Sequence, residues 1–218
     1  MITPLFAVSN AVLFPKTPMQ LHVFDVRQQA MVRDAIAKNR ELTVVLVRDA
    51  IDPEYACVEN VHEIACLGRI ESCEELDDGD YDIFIVGLRR VRIDRETQRY
   101  PYLMAEVVDE SDSDISEHSN GLTARHNRIS GLFARFLELT TDSDQKPAGI
   151  MPQMDFESLI NTVAVSLNVS CEQKQGFLET DDLFERCDLM SAILQQQIET
   201  LDIIRKFEHL KPDNPHFN

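Results

Sequence analysis

Glu74-Glu-Leu-Asp-Asp-Gly-Asp-Tyr81 and the run that follows, Tyr81-Asp-Ile-Phe-Ile-Val-Gly-Leu-Arg-Arg-Val-Arg-Ile-Asp94, decide the fold of this chain. Asp78-Gly79 supplies the two positive-φ residues of a type I′ turn, so the segment reads as a hairpin between strands at His62–Glu74 and Tyr81–Asp94. In the second strand Ile83 and Ile85 point one way and Phe84, Val86 and Leu88 the other, which predicts cover on both faces. Beyond Gly87 the pattern changes. Val91 and Ile93 alternate with Arg90, Arg92 and Asp94, so one face is expected to meet water. Gly87 marks a bulge or bend between the two regimes. A long strand whose faces change character in this way belongs to a small, partly closed barrel.

Outward from the hairpin, Leu42-Thr-Val-Val-Leu-Val-Arg48 is β-branched and apolar, as a buried strand is, and Tyr102–Val108 is a shorter strand. One helix interrupts this half. Asp25 caps it, Gln28 completes a capping box, and Ala30, Met31, Ala35 and Ile36 form its apolar stripe. Pro15 and Pro18 bracket the turn before it. The acidic, Ser-rich run Asp109–Ser116 reads as a linker, after which the period becomes helical. Helices are expected at Leu122–Leu139, at Asp155–Leu167, after the capping box Ser170-Cys-Glu-Gln173, and after Asp181. In the last, Leu183, Cys187, Met190, Leu194, Gln197, Leu201 and Ile204 alternate spacings of four and three, read as packing within a helical lobe, with a coiled coil as the alternative. The fold class is α+β: a β-rich lobe over residues 1–110 and an α-helical lobe over residues 111–218 that ends in a long helix.

The 218 residues carry 21 basic and 38 acidic side chains, a net charge of −17. A field of that sign repels phosphate backbones and anionic lipid, so neither nucleic acid nor a membrane surface is the expected partner. Five cysteines at irregular spacings, with no CxxC and no signal-peptide pattern, predict reduced thiols and a cytoplasmic protein. No apolar run approaches the roughly 20 residues of a membrane span.

The chemical candidates are thin. Cys57, His62, Cys66 and Cys73 resemble a zinc set, but strand parity puts Cys73 opposite His62 and Cys66, so no metal is expected. Asp112-Ser-Asp-Ile-Ser116 starts like a calcium loop and lacks its glycine and closing glutamate, and Asp78, Asp80 and Asp82 likewise read as a solvated acidic turn. His22, Asp25 and Arg27 read as a polar cluster at a helix start, and Glu74-Glu75 flanks an exposed turn where nothing raises a pKa. Arg89, Arg90 and Arg92 with Tyr100 and Tyr102 form the nearest approach to an RNA patch. Leu5, Phe6, Leu13, Phe14, Leu21 and Phe24 exceed what so small a barrel needs inside. Some of them, with Phe6, Phe14, Leu21 and Phe24 foremost, are expected on a peptide-binding patch rimmed by Arg69 and Tyr81, the alternative being that all six are core.

Several of these stretches also form a series. Pro4-Leu-Phe6, Val12-Leu-Phe-Pro15 and Leu21-His-Val-Phe-Asp25 resemble the opening of the Lon protease N-terminal, substrate-binding domain. Cys66-Leu-Gly-Arg-Ile70, Glu74-Glu-Leu with Asp78-Gly79, Tyr81-Asp-Ile83, and Gly87 with Arg92-Ile93 continue it in order. Tyr100-Pro-Tyr-Leu103 with Ala105-Glu-Val107, then Lys174-Gln175 with Phe177-Leu-Glu179, complete it. Lys16 stands where the family usually has glycine, Asp25-Val-Arg-Gln28 where it has Glu-Pro-Arg-Tyr, and Asp77-Asp-Gly-Asp80 where it has Pro-Asp-Gly-Arg. The resemblance implies a PUA-like β-barrel lobe before the helical lobe, acting as a stand-alone, non-enzymatic module that captures unfolded or exposed polypeptide segments. It implies no cofactor. No glycine begins a GxxxxGK[ST], so ATP turnover is not expected. A scaffold for one defined partner, an RNA binder of the PUA-like kind and a hydrolase with an unrecognised site are the alternatives.

Overall fold

Strand β5 (Tyr81–Gln98) organises the β-rich part of the molecule, because it is long enough to serve different partners at its two ends. In a computed structural model, which describes residues 1–48, 52–77, 79–111, 119–141 and 154–208, Tyr81–Arg92 of its first flank pairs with β4 (Ile64–Glu75). On the other flank Tyr81–Val86 pairs with β2 (Pro18–Val23), and Val91–Gln98 pairs with β6 (Met104–Asp109). β1 (Ile2–Val8) lies between β3 (Glu41–Leu46), to which it is parallel, and β6. The strand order β2-β5-β4-β3-β1-β6, with β6 returning to β5, closes a ring of five strands and leaves β2 outside it as a branch.

The change of partner occurs at Gly87, as the sequence pattern anticipates. The β4–β5 register slips opposite it, between Leu67 and Gly68. The turn Phe14–Thr17 lies against it, with Lys16 N donating to Gly87 O at 2.8 Å and Gly87 N to Thr17 O at 3.0 Å. The expected hairpin is present, but Asp78 lies outside the described residues. Gly79 has φ 90°, and Leu76 N donates to Asp80 O at 2.9 Å, so Gly79 is the left-handed residue that reverses the chain.

Lys16 takes φ 60° in that Phe14–Thr17 turn, and its side chain is exposed. Left-handed backbone costs a non-glycine residue about 1–2 kcal/mol. Lys16→Gly is therefore expected to stabilise the protein by about 0.5–1 kcal/mol, after glycine's greater freedom in the unfolded chain is offset. Arg40, at φ 63°, is the contrasting case: its guanidinium donates to Ile70 O at 2.6 Å and Glu71 O at 3.0 Å. Arg40→Gly loses those bonds and is expected to destabilise by about 1 kcal/mol. Urea unfolding followed by circular dichroism reads both, and a shift of the same sign in both variants contradicts the account.

Both faces of the sheet carry buried side chains. Phe6, Leu42, Ile70, Ile83 and Ile85 pack with Met31, Val32 and Ala35 of helix α1 (Val26–Ala37). Leu5, Val45, Leu67, Val91, Ile93 and Val107 form a second cluster. Two sequence readings of β5 need correction. Phe84 is 41% exposed, because the first half of β5 is covered on one face rather than two. Arg90, read as water-facing, is 2% exposed. Its Nη1 donates to Leu178 O at 2.7 Å and its Nη2 pairs with Asp181 at 2.9 Å.

Those partners explain how the chain divides. One compact unit is Met1–Ser113 with Ala164–Asp181; the other is Asp114–Val163 with Asp182–Asn218. α4 (Cys171–Glu179) belongs with the strands rather than with the other helices. Gln175, fully buried, donates to Ile64 O at 2.8 Å, and His62 Nδ1 lies 2.8 Å from Glu179 Oε1. The Ser170–Gln173 capping box opens α4 as expected.

The second unit contains α2 (Ser119–Thr140), most of α3 (Phe156–Ser166) and α5 (Leu183–Glu208). Ile129, Phe133 and Phe136 pack in its core with Leu159, Ile160 and Val163 and with Leu183, Cys187, Met190 and Leu194. Further along α5 the buried position is Ile198, not Gln197, and Ile204 is exposed, since a straight helix drifts off a strict heptad. Asp182, not Asp181, caps α5, accepting from Phe184 N at 2.7 Å, because Asp181 is engaged by Arg90. Arg125 pairs with Asp188 and stacks 4.7 Å over the Phe184 ring. Residues 112–118 and 142–153, among them the calcium-like Asp112–Ser116, lie outside the described residues.

Candidate functional site

Among the described strands, one side of the end of β1 and one side of β2 have no strand partner, and residues of both line one groove. Ile2–Pro4 of β1 pairs with β6, and Leu5 N still donates to Leu103 O at 2.9 Å. There the pairing stops. Val8 O accepts from Val47 N beyond the end of β3, so by alternation the polar groups of Ala7 face away from β3. Ala7 O accepts instead from Gln28 Nε2 at 3.3 Å. This explains why the expected capping box is half made: Asp25 accepts from Arg27 N and Gln28 N, but the Gln28 side chain reaches the β1 edge rather than back to the cap. On the opposite side, β2 has β5 as its single partner among the described strands.

Between those edges lies a groove of about 740 Å³, wholly within the first unit. Residues 5–11 of β1 and its extension form one wall, Gln20, Leu21 and His22 of β2 another, and residues 52–56 and 99–103 the mouth. Two aromatic rings stand in the open at its lining, Phe24 at 70% exposure and Tyr100 at 77%. Tyr102, beside them, is buried and donates to Asp34 at 2.6 Å; burial, then that contact, pushes its phenol up to about 12.

The groove also carries charge. Arg27 lies 3.3 Å from Asp25 and 3.6 Å from Glu54. Burial raises the Asp25 carboxyl, but the Gln28 N–H, Arg27 and Glu54 outweigh it and hold Asp25 below its ordinary value. Glu54, hydrogen-bonded to Asp25, is pushed above its own. Asp52 accepts from Glu54 N at 3.0 Å, capping a short 3-10 turn at Pro53–Tyr55. His22 lies 2.9 Å from Asp82 and 3.3 Å from Asp80.

The residues expected on a peptide patch separate. Phe6, Leu21 and Phe24 line the groove: Phe6 as its buried floor, Leu21 half-buried, Phe24 in the open. Phe14 is 0% exposed, packed in the turn against Gly87, so it offers no surface; Leu5 and Leu13 are buried too. Tyr81 is buried where β5 begins opposite Val23, and Arg69 sits on β4, paired with Glu41 at 2.9 Å. Tyr100, Asp52 and Glu54 also line the groove and are not among the residues the sequence puts on a peptide patch; Tyr100-Pro-Tyr-Leu103, part of the family resemblance, is the signal nearest to them. Each arginine of the suspected RNA patch meets a carboxylate: Arg89 with Asp109, Arg90 with Asp181 and Arg92 with Glu110. Of the zinc candidates, Cys66 is fully buried with its thiol pushed up by desolvation, and His62 faces Glu172 and Glu179. Among the described residues no group of three or more His, Cys, Asp or Glu is placed to hold a metal ion. No described helix is long and apolar enough to cross a membrane.

A near-closed ring of strands with one helix, followed by a helical part ending in a long helix, is the architecture of Lon N-terminal domains. The chain superposes on the N-terminal domain of the Mycobacterium avium complex Lon protease with a TM-score of 0.73 at 16% identity, covering 89% of this chain and 98% of that one. A Lon N-terminal domain protein from Xanthomonas campestris gives 0.62 at 22% identity, covering 88% and 98%. The family of the ATP-dependent protease La (LON) substrate-binding domain matches residues 2–196, and the chain belongs to it. Curated relatives include a Lon protease of Syntrophus aciditrophicus, 27% identical over 95% of this chain and 26% of that protein, and Lon protease 2 of Myxococcus xanthus, 24% identical over 95% and 25%. The chain spans about a quarter of the length of these relatives. What it matches in them is the substrate-binding domain, not the ATPase and protease modules.

Proposed function

We propose that this chain is a non-enzymatic, cytoplasmic polypeptide-recognition module, which captures unfolded or exposed segments in the groove between β1 and β2. The observation that carries the reading is the pair of strand edges without strand partners that flank one groove with two exposed aromatic rings at its lining. An extended segment laid there gains main-chain hydrogen bonds from an edge and apolar burial from the rings. The family membership supports the same reading, and the absence of a P-loop within these residues leaves binding, not turnover, as its work.

Phe24→Ser tests it. At 70% exposure the side chain contributes little to folding, so stability is expected to change by under about 0.5 kcal/mol. Affinity for a permanently unfolded client of basic net charge, such as reduced and carbamidomethylated ribonuclease A, is expected to fall about tenfold. Phe14→Ser is no substitute: burial makes it cost about 3–5 kcal/mol. A wild-type chain that ignores the client, or a Phe24→Ser variant that binds it undiminished, overturns the assignment.

A further inference from the structure

We infer that the groove selects extended segments in which an arginine or lysine stands among apolar and aromatic residues. The inference rests on the capture reading above and adds the chemistry of what is captured. Both arginines at the groove are already matched by carboxylates. Arg27 meets Asp25 and Glu54, and Arg99 meets Glu96 through two bonds of 2.8 and 2.9 Å. His22 stands between Asp80 and Asp82.

The carboxylates outnumber the cations they meet. Asp25 and Glu54 together face one guanidinium, and Asp52 adds a third carboxylate to the same lining. The chain as a whole, at −17, adds a field of the same sign. Exposed Phe24 and Tyr100 belong to the same lining. Carboxylates and aromatic faces share one ligand preference: a cation whose stem is apolar. The guanidinium of an arginine, or the ammonium of a lysine, gains from both, while its methylenes cover the rings. A glutamate at the same place meets like charge and leaves its own carboxylate desolvated. The groove thus excludes acidic segments as well as favouring basic ones, which is what makes a preference selective.

Three fluorescein-labelled decapeptides test this with the intact chain. They share a frame of leucine, valine and phenylalanine and carry arginine, glutamine or glutamate at the same two positions. Anisotropy titration is expected to rank them arginine, glutamine, glutamate, with about tenfold between the first two. Raising salt from about 50 to 500 mM is expected to shrink that gap, since the Debye length falls several-fold, and to leave the glutamine peptide nearly unmoved. The double variant Asp52→Asn, Glu54→Gln keeps an amide at the turn cap and is expected to bring the arginine and glutamine peptides within about twofold of each other. Arginine and glutamine peptides that bind equally to the wild type sink the charge preference and leave capture standing. Three peptides that all fail to bind sink both. A preference that survives in the double variant overturns the assignment to these carboxylates.

Discussion

Replacing Arg90 with methionine is expected to destabilise the first unit by about 2–4 kcal/mol, with the damage concentrated in Ala164–Asp181. The guanidinium is 2% exposed and sits where β5 turns towards its second set of partners. Its Nη1 donates to Leu178 O at 2.7 Å and more loosely to Thr180 O at 3.4 Å. Its Nη2 reaches Asp181 at 2.9 Å and Ser111 O at 3.4 Å. Apart from Ser111 O, which follows β6, these acceptors are the end of α4 and the chain just beyond it, where helix carbonyls have no intrahelical donor. One planar fork thus closes a helix C-terminus and ties it to a strand. Methionine fills the volume but donates nothing, so the Leu178 carbonyl stays buried without its donor. Lysine restores charge, not the fork, and is expected to recover less than half of the loss. Hydrogen exchange is the discriminating readout: amides of α4 should lose protection before those of β3. A methionine variant within about 1 kcal/mol of wild type, or one whose α4 amides keep their protection, removes Arg90 from this role.

The same residue shows where sequence reading stops. Alternation places Arg90, Arg92 and Asp94 on one face correctly, and charge then marks that face as wet. Nothing local distinguishes Arg92, which is exposed and paired with Glu110, from Arg90, whose acceptors are supplied by a segment about ninety residues away. The long strand, the Gly79 reversal, the slip beside Gly87 and the caps at Asp25 and Ser170 were legible because each depends on residues adjacent in sequence. Asp181 and Asp182 were exchanged because either can cap a helix, and only the tertiary partner of Asp181 decides between them. The groove was legible only in part. Leu21 and Phe24 could be named from apolar excess, but the groove itself exists where β6 ceases to cover β1 and β2 branches off β5, which is a property of pairing and not of composition. Phe6 and Phe14 are equally apolar and both buried; pairing of β1 with β3 sets Phe6 under the groove, while the Phe14–Thr17 turn sets Phe14 against Gly87.

Gly87→Ala is expected to be the most damaging single methyl group that can be added to the described strands, costing about 3 kcal/mol or more. A Cβ built there stands 2.0 Å from Phe14 O, 2.8 Å from Phe14 C and 3.0 Å from Cys66 Sγ. The first two are backbone atoms, and they are held. Phe14 O accepts from Thr17 Oγ1 at 2.8 Å, while Lys16 N and Thr17 O bond to Gly87 itself. Relief therefore requires the turn to leave β5, and the turn positions both the buried Phe14 ring and the start of β2. Gly68, across the ladder, marks the difference. Its Cβ would meet the ends of Ile85 and Leu13 at 2.7–2.9 Å, side chains that can turn aside, so Gly68→Ala is expected to cost about 1–2 kcal/mol. Gly131, in α2 with nothing within 4 Å, is expected to gain stability as alanine, by about 0.5–1 kcal/mol. Urea unfolding of the three variants by circular dichroism should rank them Gly131→Ala, Gly68→Ala, Gly87→Ala from most to least stable. Because β2 forms one wall of the groove, Gly87→Ala should also weaken peptide binding under conditions where the variant remains folded. If Gly87→Ala instead unfolds within about 1 kcal/mol of wild type, the turn is free to move, and the change of partners along β5 is not pinned at that residue.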